Sequence, residues 1–218
     1  MPTLTQDGPL WTLDLGDDEN RFSPGFLDET IDALRGLAAG SEPAALVTTG
    51  SGKFFSNGLD LDWLGAHPDE LGPYVARIQE LFDVVLTLPV PTVAAVNGHA
   101  FGGGAMLAMA HDWRVMREDR GYVCFPEVDI LIPFTEGMNA LVMAKLSPRT
   151  AVDAMTTGRR FGGAEALAAG IVDATSPLDD LAATAAGLVR DLAGKDRTTL
   201  GTIKSRMFAP VSAALREA

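Results

Sequence analysis

Apolar and polar positions along the first half of the chain alternate between strand and helix periods. Residues 10–15 (LWTLDL) alternate at period two, which predicts a partly exposed strand. Residues 44–49 (AALVTT) and 92–96 (TVAAV) are continuously apolar, as expected for strands buried in a parallel sheet. Between the first two strands, apolar side chains recur at helical spacing from Ser23-Pro24, a good helix start, to Gly40.

The second half repeats this order with shorter strands and more helix. A helical apolar stripe over residues 73–88 stops before two prolines, and a glycine-rich turn (NGHAFGGG, 97–104) leads into a helical segment at 105–110. Further short strands are predicted at 113–116, 122–125 and 171–174, and a helix at 178–193. Alternating strands and helices predict an α/β fold with a largely parallel sheet, formed as one domain over residues 1–218.

Composition excludes several classes of function. The 218 residues are 47% hydrophobic and carry a net charge of -12, which disfavours binding to nucleic acid or anionic lipid. No apolar run reaches the roughly 20 residues needed to cross a bilayer. The one cysteine, Cys124, allows no internal disulfide, and the N-terminus lacks the pattern of a signal peptide, so we expect a cytoplasmic protein.

Common cofactor motifs are missing from the sequence. Gly50-Ser51-Gly52-Lys53 lacks the Walker spacing, and the glycines at 98 and 102–104 do not form a dinucleotide fingerprint. The three histidines are too scattered to predict a metal site. We therefore expect neither a metal nor a nicotinamide cofactor.

The glycines at 102–104 start a predicted helix, where free backbone N–H groups and the helix dipole favour a negative charge. Close packing of the helix on a strand also selects glycine, and both interpretations stay open at this point. The loop at 56–60 (SNGLD) follows another buried strand and is placed to present a second N–H. Two convergent donors are the arrangement that stabilises an enolate.

One acid, Glu127, is surrounded by apolar neighbours in the segment CFPEV. Burial there would raise the carboxyl pKa toward that of a usable general base. A solvated loop glutamate is the more common arrangement for such an isolated acid. The residues alone do not separate the two.

The sequence resembles the enoyl-CoA hydratase/isomerase family, the crotonase superfamily. The similar stretches are 50–64, 91–118, 125–133, 157–161 and 164–172. The resemblance implies a spiral of ββα units over residues 1–175 and a short helical C-terminal region over 176–218. It also implies a homotrimer or hexamer and acyl-CoA thioester substrates, with no cofactor beyond the CoA of the substrate.

Carried over position by position, the resemblance implies roles for individual residues. The oxyanion-hole N–H groups correspond to Leu59 and Gly103, and one family glutamate corresponds to Glu127. The residues implied in CoA binding are Ser56, Asn57, Gly58, Asp60 and Leu61. The second glutamate of the hydratases falls on Met106, which does not ionise.

A single carboxylate suffices to move a double bond, whereas hydration needs groups that also activate water. The sequence is accordingly most similar to Δ3,Δ2-enoyl-CoA isomerases of the plant peroxisomal type, although its final residues do not form a Ser-Lys-Leu signal. A hydratase, a dienoyl-CoA isomerase, a thioesterase-like relative and a non-catalytic acyl-CoA-binding paralogue stay open. Dienoyl-CoA isomerases carry a second acid at the position of Thr135, which makes Glu136, one residue later, a candidate second acid, or simply an acid in the first turn of a helix.

Overall fold

The main sheet of the computed structural model, which describes residues 1–217, has six strands. In sheet order they are β1 (Thr3–Asp7), β2 (Leu10–Asp14), β3 (Ala45–Thr49), β5 (Thr92–Val96), β7 (Trp113–Arg117) and β9 (Ala174–Ser176). The hairpin of β1 and β2 is antiparallel, and every other neighbouring pair is parallel. The prediction of a largely parallel sheet is confirmed.

A second, smaller parallel sheet lies beyond the C-terminal ends of the main strands. It contains β4 (Phe54–Ser56), β6 (His99–Phe101) and β8 (Val123–Cys124), in that order. Three successive turns of the chain, which start at β3, β5 and β7, each add one strand to the main sheet, then one to the small sheet, and then helix. This is a spiral of ββα units, as the resemblance implied.

Ten α-helices cover the sheets within residues 1–217. They are α1 (Pro24–Ala39), α2 (Leu61–Ala66), α3 (Leu71–Thr87), α4 (Gly103–Ala110), α5 (Glu136–Lys145), α6 (Pro148–Thr157), α7 (Gly163–Ala168), α8 (Leu178–Val189), α9 (Arg197–Met207) and α10 (Ala209–Arg216). The predicted start of α1 is confirmed, because the Ser23 hydroxyl accepts a hydrogen bond from the N–H of Phe26. The last three helices lie within residues 176–218, and α8 among them packs on the main sheet.

The turn predicted at 97–104 contains the strand β6, and two other predicted elements have different bounds in the structure. The strand predicted at 171–174 begins only at Ala174, because the N–H groups of Ile171 and Val172 both donate to the Ala166 carbonyl and close the end of α7. The helix predicted at 178–193 ends at Val189 and continues as a 3₁₀ turn, Arg190–Leu192. In both places local hydrogen bonds override an apolar pattern.

The core has two parts, one on each face of the main sheet. The larger part fills the space between the main sheet, the small sheet and helices α1, α3 and α4, and the smaller part lies under α8. All eight residues of α4 are buried, so this helix passes through the centre of the molecule. None of the helices within residues 1–217 has both the length and the hydrophobicity to span a membrane.

Candidate active site

The N-terminus of α4 is shaped by Gly102, which joins β6 to the helix. Gly102 has a positive φ of 51°, which favours glycine, and its N–H donates to the Cys124 carbonyl at 3.0 Å. The helix starts directly at Gly103. As the first residue of the helix, Gly103 has an N–H with no partner inside α4.

The loop after β4 packs directly against this helix start. A Cβ atom on Gly58 would lie 2.7 Å from the Gly103 nitrogen, and one on Gly104 would lie 2.1 Å from the Ser56 carbonyl oxygen. Glycine at these positions therefore permits a backbone approach that a side chain would block. Among residues 1–217, neither the Leu59 N–H nor the Gly103 N–H donates to a protein acceptor, so both remain available to a ligand.

The predicted CoA-binding residues divide into two groups. Asn57 and Leu61 line the cavity described below, whereas Ser56, Gly58 and Asp60 do not. Ser56 is fully buried and organises the loop: its hydroxyl donates to the Asn20 carbonyl at 2.7 Å and accepts from the Gly58 N–H at 3.1 Å.

Asp60 caps α2 and takes part in fixing the loop. Its carboxylate accepts a hydrogen bond from the Trp63 N–H at 3.1 Å, and its own N–H donates to the Tyr74 hydroxyl at 2.7 Å. Asp60 lines a neighbouring concavity of about 570 Å³ around Arg21, whose walls are both charged and apolar. The role of these residues in binding CoA stays a prediction.

A cavity of about 410 Å³ opens beside the two free N–H groups. Its walls include Leu59, Gly103, Met106, Glu127 and Met138. The structure thus brings both predicted oxyanion-hole residues, the predicted catalytic acid and the methionine at the second-acid position to one site. Most of the remaining lining is apolar, as a pocket for an acyl chain requires.

Glu127 enters the cavity from the segment that follows β8. The residue is only 7% exposed, and one carboxylate oxygen, Oε2, is buried without a hydrogen-bond partner among the described residues. The other, Oε1, lies 3.3 Å from where a Cβ atom on Gly102 would be. Burial raises the pKa of Glu127 to about 7, which suits a group that takes and returns a proton near neutral pH.

The two positions considered for a second acid, Met106 and Glu136, have different surroundings in the structure. Met106 is buried in α4 at 1% exposure and forms part of the cavity wall. Glu136 is the exposed first residue of α5 and is not among the residues that line the cavity. Thr135 caps that helix by accepting a hydrogen bond from the Met138 N–H at 3.1 Å.

Sequence reasoning missed several cavity residues. Arg21 lines the cavity and pairs with Asp62 at 2.5 Å. Its contacts with the carboxylates of Asp62 and Glu19 raise the pKa of its guanidinium. Phe101 and Met138 supply apolar wall. Only Phe101 had a signal in the sequence, since it lies inside the glycine-rich segment already singled out.

Comparison with known proteins places this chain in a family. The sequence profile of the enoyl-CoA hydratase/isomerase family matches residues 10–218. Enoyl-CoA delta isomerase 3 of Arabidopsis thaliana is 38% identical over 183 residues, covering 81% of this chain and 77% of the relative. A putative enoyl-CoA hydratase of Thermus thermophilus is 34% identical over 214 residues, covering 94% and 82%.

Solved structures of enoyl-CoA hydratases have folds similar to that of this chain. A probable enoyl-CoA hydratase, EchA3, from Mycobacterium tuberculosis superposes with a TM-score of 0.91 at 25% identity, covering 99% of this chain and 92% of its own. An enoyl-CoA hydratase from Mycobacterium marinum gives 0.89 at 28% identity, covering 99% and 95%. The chain therefore belongs to the enoyl-CoA hydratase/isomerase family.

Proposed function

We propose that the protein is a Δ3,Δ2-enoyl-CoA isomerase, which shifts the double bond of a 3-enoyl-CoA to the 2-enoyl position. The observation that carries the proposal is the pairing of Glu127 with Met106 in one cavity: a buried carboxylate of raised pKa faces a site whose second position has no acid. The similarity to plant enoyl-CoA delta isomerases supports the same choice.

The first step of the proposed reaction removes a proton from C2 of the substrate. The N–H groups of Leu59 and Gly103 hold the thioester oxygen, and the Glu127 carboxylate takes the C2 proton. The electron pair of the broken C–H bond moves into the conjugated system, which forms a dienolate whose oxygen carries the negative charge. Fixed backbone donors stabilise that charge without having to reorganise.

The second step returns the same proton at C4. The protonated Glu127 donates to C4, the double bond forms between C2 and C3, and the carboxylate is regenerated. A carboxyl pKa near 7 makes both transfers feasible at neutral pH. Because the step uses only a carboxylate and two N–H groups, we expect no metal or redox cofactor, and EDTA should leave the rate unchanged.

A substrate panel tests the proposal against its alternatives. We expect fast turnover of 3-enoyl-CoA, little hydration of 2-enoyl-CoA and little isomerisation of 3,5-dienoyl-CoA. Faster turnover of either of the last two substrates would identify a hydratase or a dienoyl-CoA isomerase. Tight acyl-CoA binding without turnover of any of the three would identify a non-catalytic paralogue.

The proposal includes a cellular compartment and an oligomeric state. Cys124 is a buried free thiol, which fits a reducing compartment, and we propose that the protein is cytoplasmic. Family membership favours a homotrimer or hexamer. Sedimentation equilibrium distinguishes these two states from a monomer.

A further inference from the structure

A second cavity, of about 550 Å³, lies at the N-terminal ends of β5 and β7. The Glu127 cavity is built instead from segments that follow the small-sheet strands, and the two cavities share no lining residue. The apolar walls of the second cavity include Pro91, Trp113, Leu200, Ile203 and Phe208. Nothing in the proposed isomerase reaction uses this space.

Lysines line the cavity alongside these apolar walls. Lys204 is 4% exposed, and its ammonium contacts the Asp112 carboxylate at 2.6 Å and donates to the Val90 carbonyl at 2.8 Å. The same Asp112 oxygen accepts a hydrogen bond from the Thr92 N–H at 2.9 Å. The charge of Asp112 is therefore already matched by Lys204.

Lys145, at the end of α5, has no such carboxylate partner. Its Nζ atom donates to the His111 carbonyl at 3.0 Å and lies 4.5 Å from the centre of the Phe208 ring. No carboxylate oxygen of residues 1–217 comes within 4.0 Å of it. An ammonium has three donors, so the described contacts leave Lys145 with donors to spare.

The charges around the cavity sum to an excess of positive charge. Three lysines, Lys145, Lys195 and Lys204, line it together with two aspartates, Asp112 and Asp196. Asp196 is engaged as the cap of α9, where its carboxylate accepts from the Thr199 N–H at 2.8 Å. The lining thus has one more lysine than aspartate, whereas the chain as a whole has a net charge of -12.

We propose that this cavity binds a single-chain alkyl carboxylate, with the carboxylate at Lys145 and the alkyl chain along Ile203 and Leu200. A carboxylate would use the spare donors of Lys145 in a charge-assisted hydrogen bond, and the apolar walls would bury the chain. The lowered pKa of Lys145, about 8, agrees with this: burial penalises its charge, and an anion beside it would offset the penalty. The inference is independent of the isomerase proposal.

Calorimetric titration of the full chain with decanoate tests this site. We expect saturable binding at one site per chain, and binding at least tenfold weaker for Lys145→Met, which keeps an unbranched side chain one atom shorter and removes its charge. Lys53→Met, the same change at an exposed lysine outside the cavity, should bind as the wild type does. Decanol, which has the same chain without the charge, should bind at least tenfold more weakly than decanoate.

A matched pair of variants locates the ligand even if Lys145→Met folds poorly. Ile203→Trp fills the second cavity from a half-exposed position, and Ile132→Trp does the same in the Glu127 cavity. We expect decanoate binding to be lost in Ile203→Trp and kept in Ile132→Trp. The reverse result, or unchanged binding in Lys145→Met, would overturn the proposal.

Absence of saturable decanoate binding to the wild type would also overturn it. In that case, sedimentation equilibrium of the wild type and of Ile203→Trp shows whether this face is occupied by another copy of the chain. If the substitution dissociates an oligomer, the face around α9 is an interface between copies of this chain and not a ligand site.

Discussion

A Cβ atom on Gly58 would lie 2.7 Å from the backbone nitrogen of Gly103. Two segments that are far apart in sequence thus meet backbone to backbone, one at the end of the small sheet and one at the start of α4. The contact places the N–H groups of Leu59 and Gly103 at one wall of the Glu127 cavity. The proposed oxyanion hole depends on this contact.

Gly58→Ala should therefore impair turnover of 3-enoyl-CoA. The new methyl group would force the loop away from α4, and φ at this position is +75°, which strains any other residue. Misplacing one oxyanion donor costs about 100- to 1,000-fold in kcat, and we expect a loss of that size together with a lower Tm.

Gly65→Ala is the matched control for that substitution. Gly65 lies in α2, where a Cβ atom would have no neighbour within 4 Å, so alanine should keep full activity and add about 0.5–1 kcal/mol of stability. Wild-type kcat in Gly58→Ala would contradict the role given to this contact.

Burial of Glu127 predicts two opposite pH effects. Because the base acts when it is ionised, kcat/KM for 3-enoyl-CoA should rise with pH up to about 7 and then level off. Stability should move the other way, since the native state holds this proton more tightly than the unfolded state. Its carboxyl pKa is 4.5 when unperturbed and about 7 in the fold, so the free energy of unfolding falls as pH rises from about 4.5 to 7.

The Glu127→Gln variant isolates this stability term because glutamine does not titrate. The Tm of Glu127→Gln minus that of the wild type should increase between pH 4.5 and 7 and stay constant above pH 7. A difference in Tm that does not change with pH would show that Glu127 is not desolvated.

Met106 is expected to limit the protein to isomerisation. The wild type should hydrate 2-enoyl-CoA very slowly, and Met106→Glu should introduce measurable hydration while destabilising the fold by several kcal/mol, because it buries a carboxylate in α4. Met106→Gln, which has the same shape without the charge, is the control and should not hydrate. Brisk hydration by the wild type would refute this role of Met106.

Glu136 should matter little to the reaction. Its side chain is exposed at the start of α5 and is not part of the cavity wall, so Glu136→Gln should reduce turnover of 3-enoyl-CoA by less than about tenfold. A loss as large as that of Glu127→Gln in a folded protein would mean that two acids operate. Circular dichroism of both variants provides the folding control.

The sequence predicted the main sheet better than the small one, for a physical reason. The continuous apolar run at Thr92–Val96 reflects burial on both faces, which is a local signal. In the small sheet the sequence predicted only the strand that contains Val123–Cys124. The strands Phe54–Ser56 and His99–Phe101 have three residues each and are fixed by pairing with each other across a long stretch of sequence, and their own residues give too little pattern to reveal them.

The candidate site shows the same limit. Glu127 and the glycines at 102–104 could be singled out because an isolated acid and a glycine run are visible in the sequence. Arg21 reaches the cavity through the β-bridge of its backbone with Gly58, and Met138 through the packing of α5, and no local pattern encodes either. Leu59 and Met106 were predicted as site positions from the family resemblance and not from residue spacing.

Turnover of 3-enoyl-CoA by Glu127→Gln tests the central claim most directly. Glutamine keeps the shape of the side chain and removes its basicity, so kcat should fall by about 100- to 10,000-fold while the Kd for a non-reactive saturated acyl-CoA stays within about threefold of the wild type. Equal circular dichroism spectra would establish that the variant is folded. A kcat within about threefold of the wild type would contradict the account, because Glu127 would then not be the base.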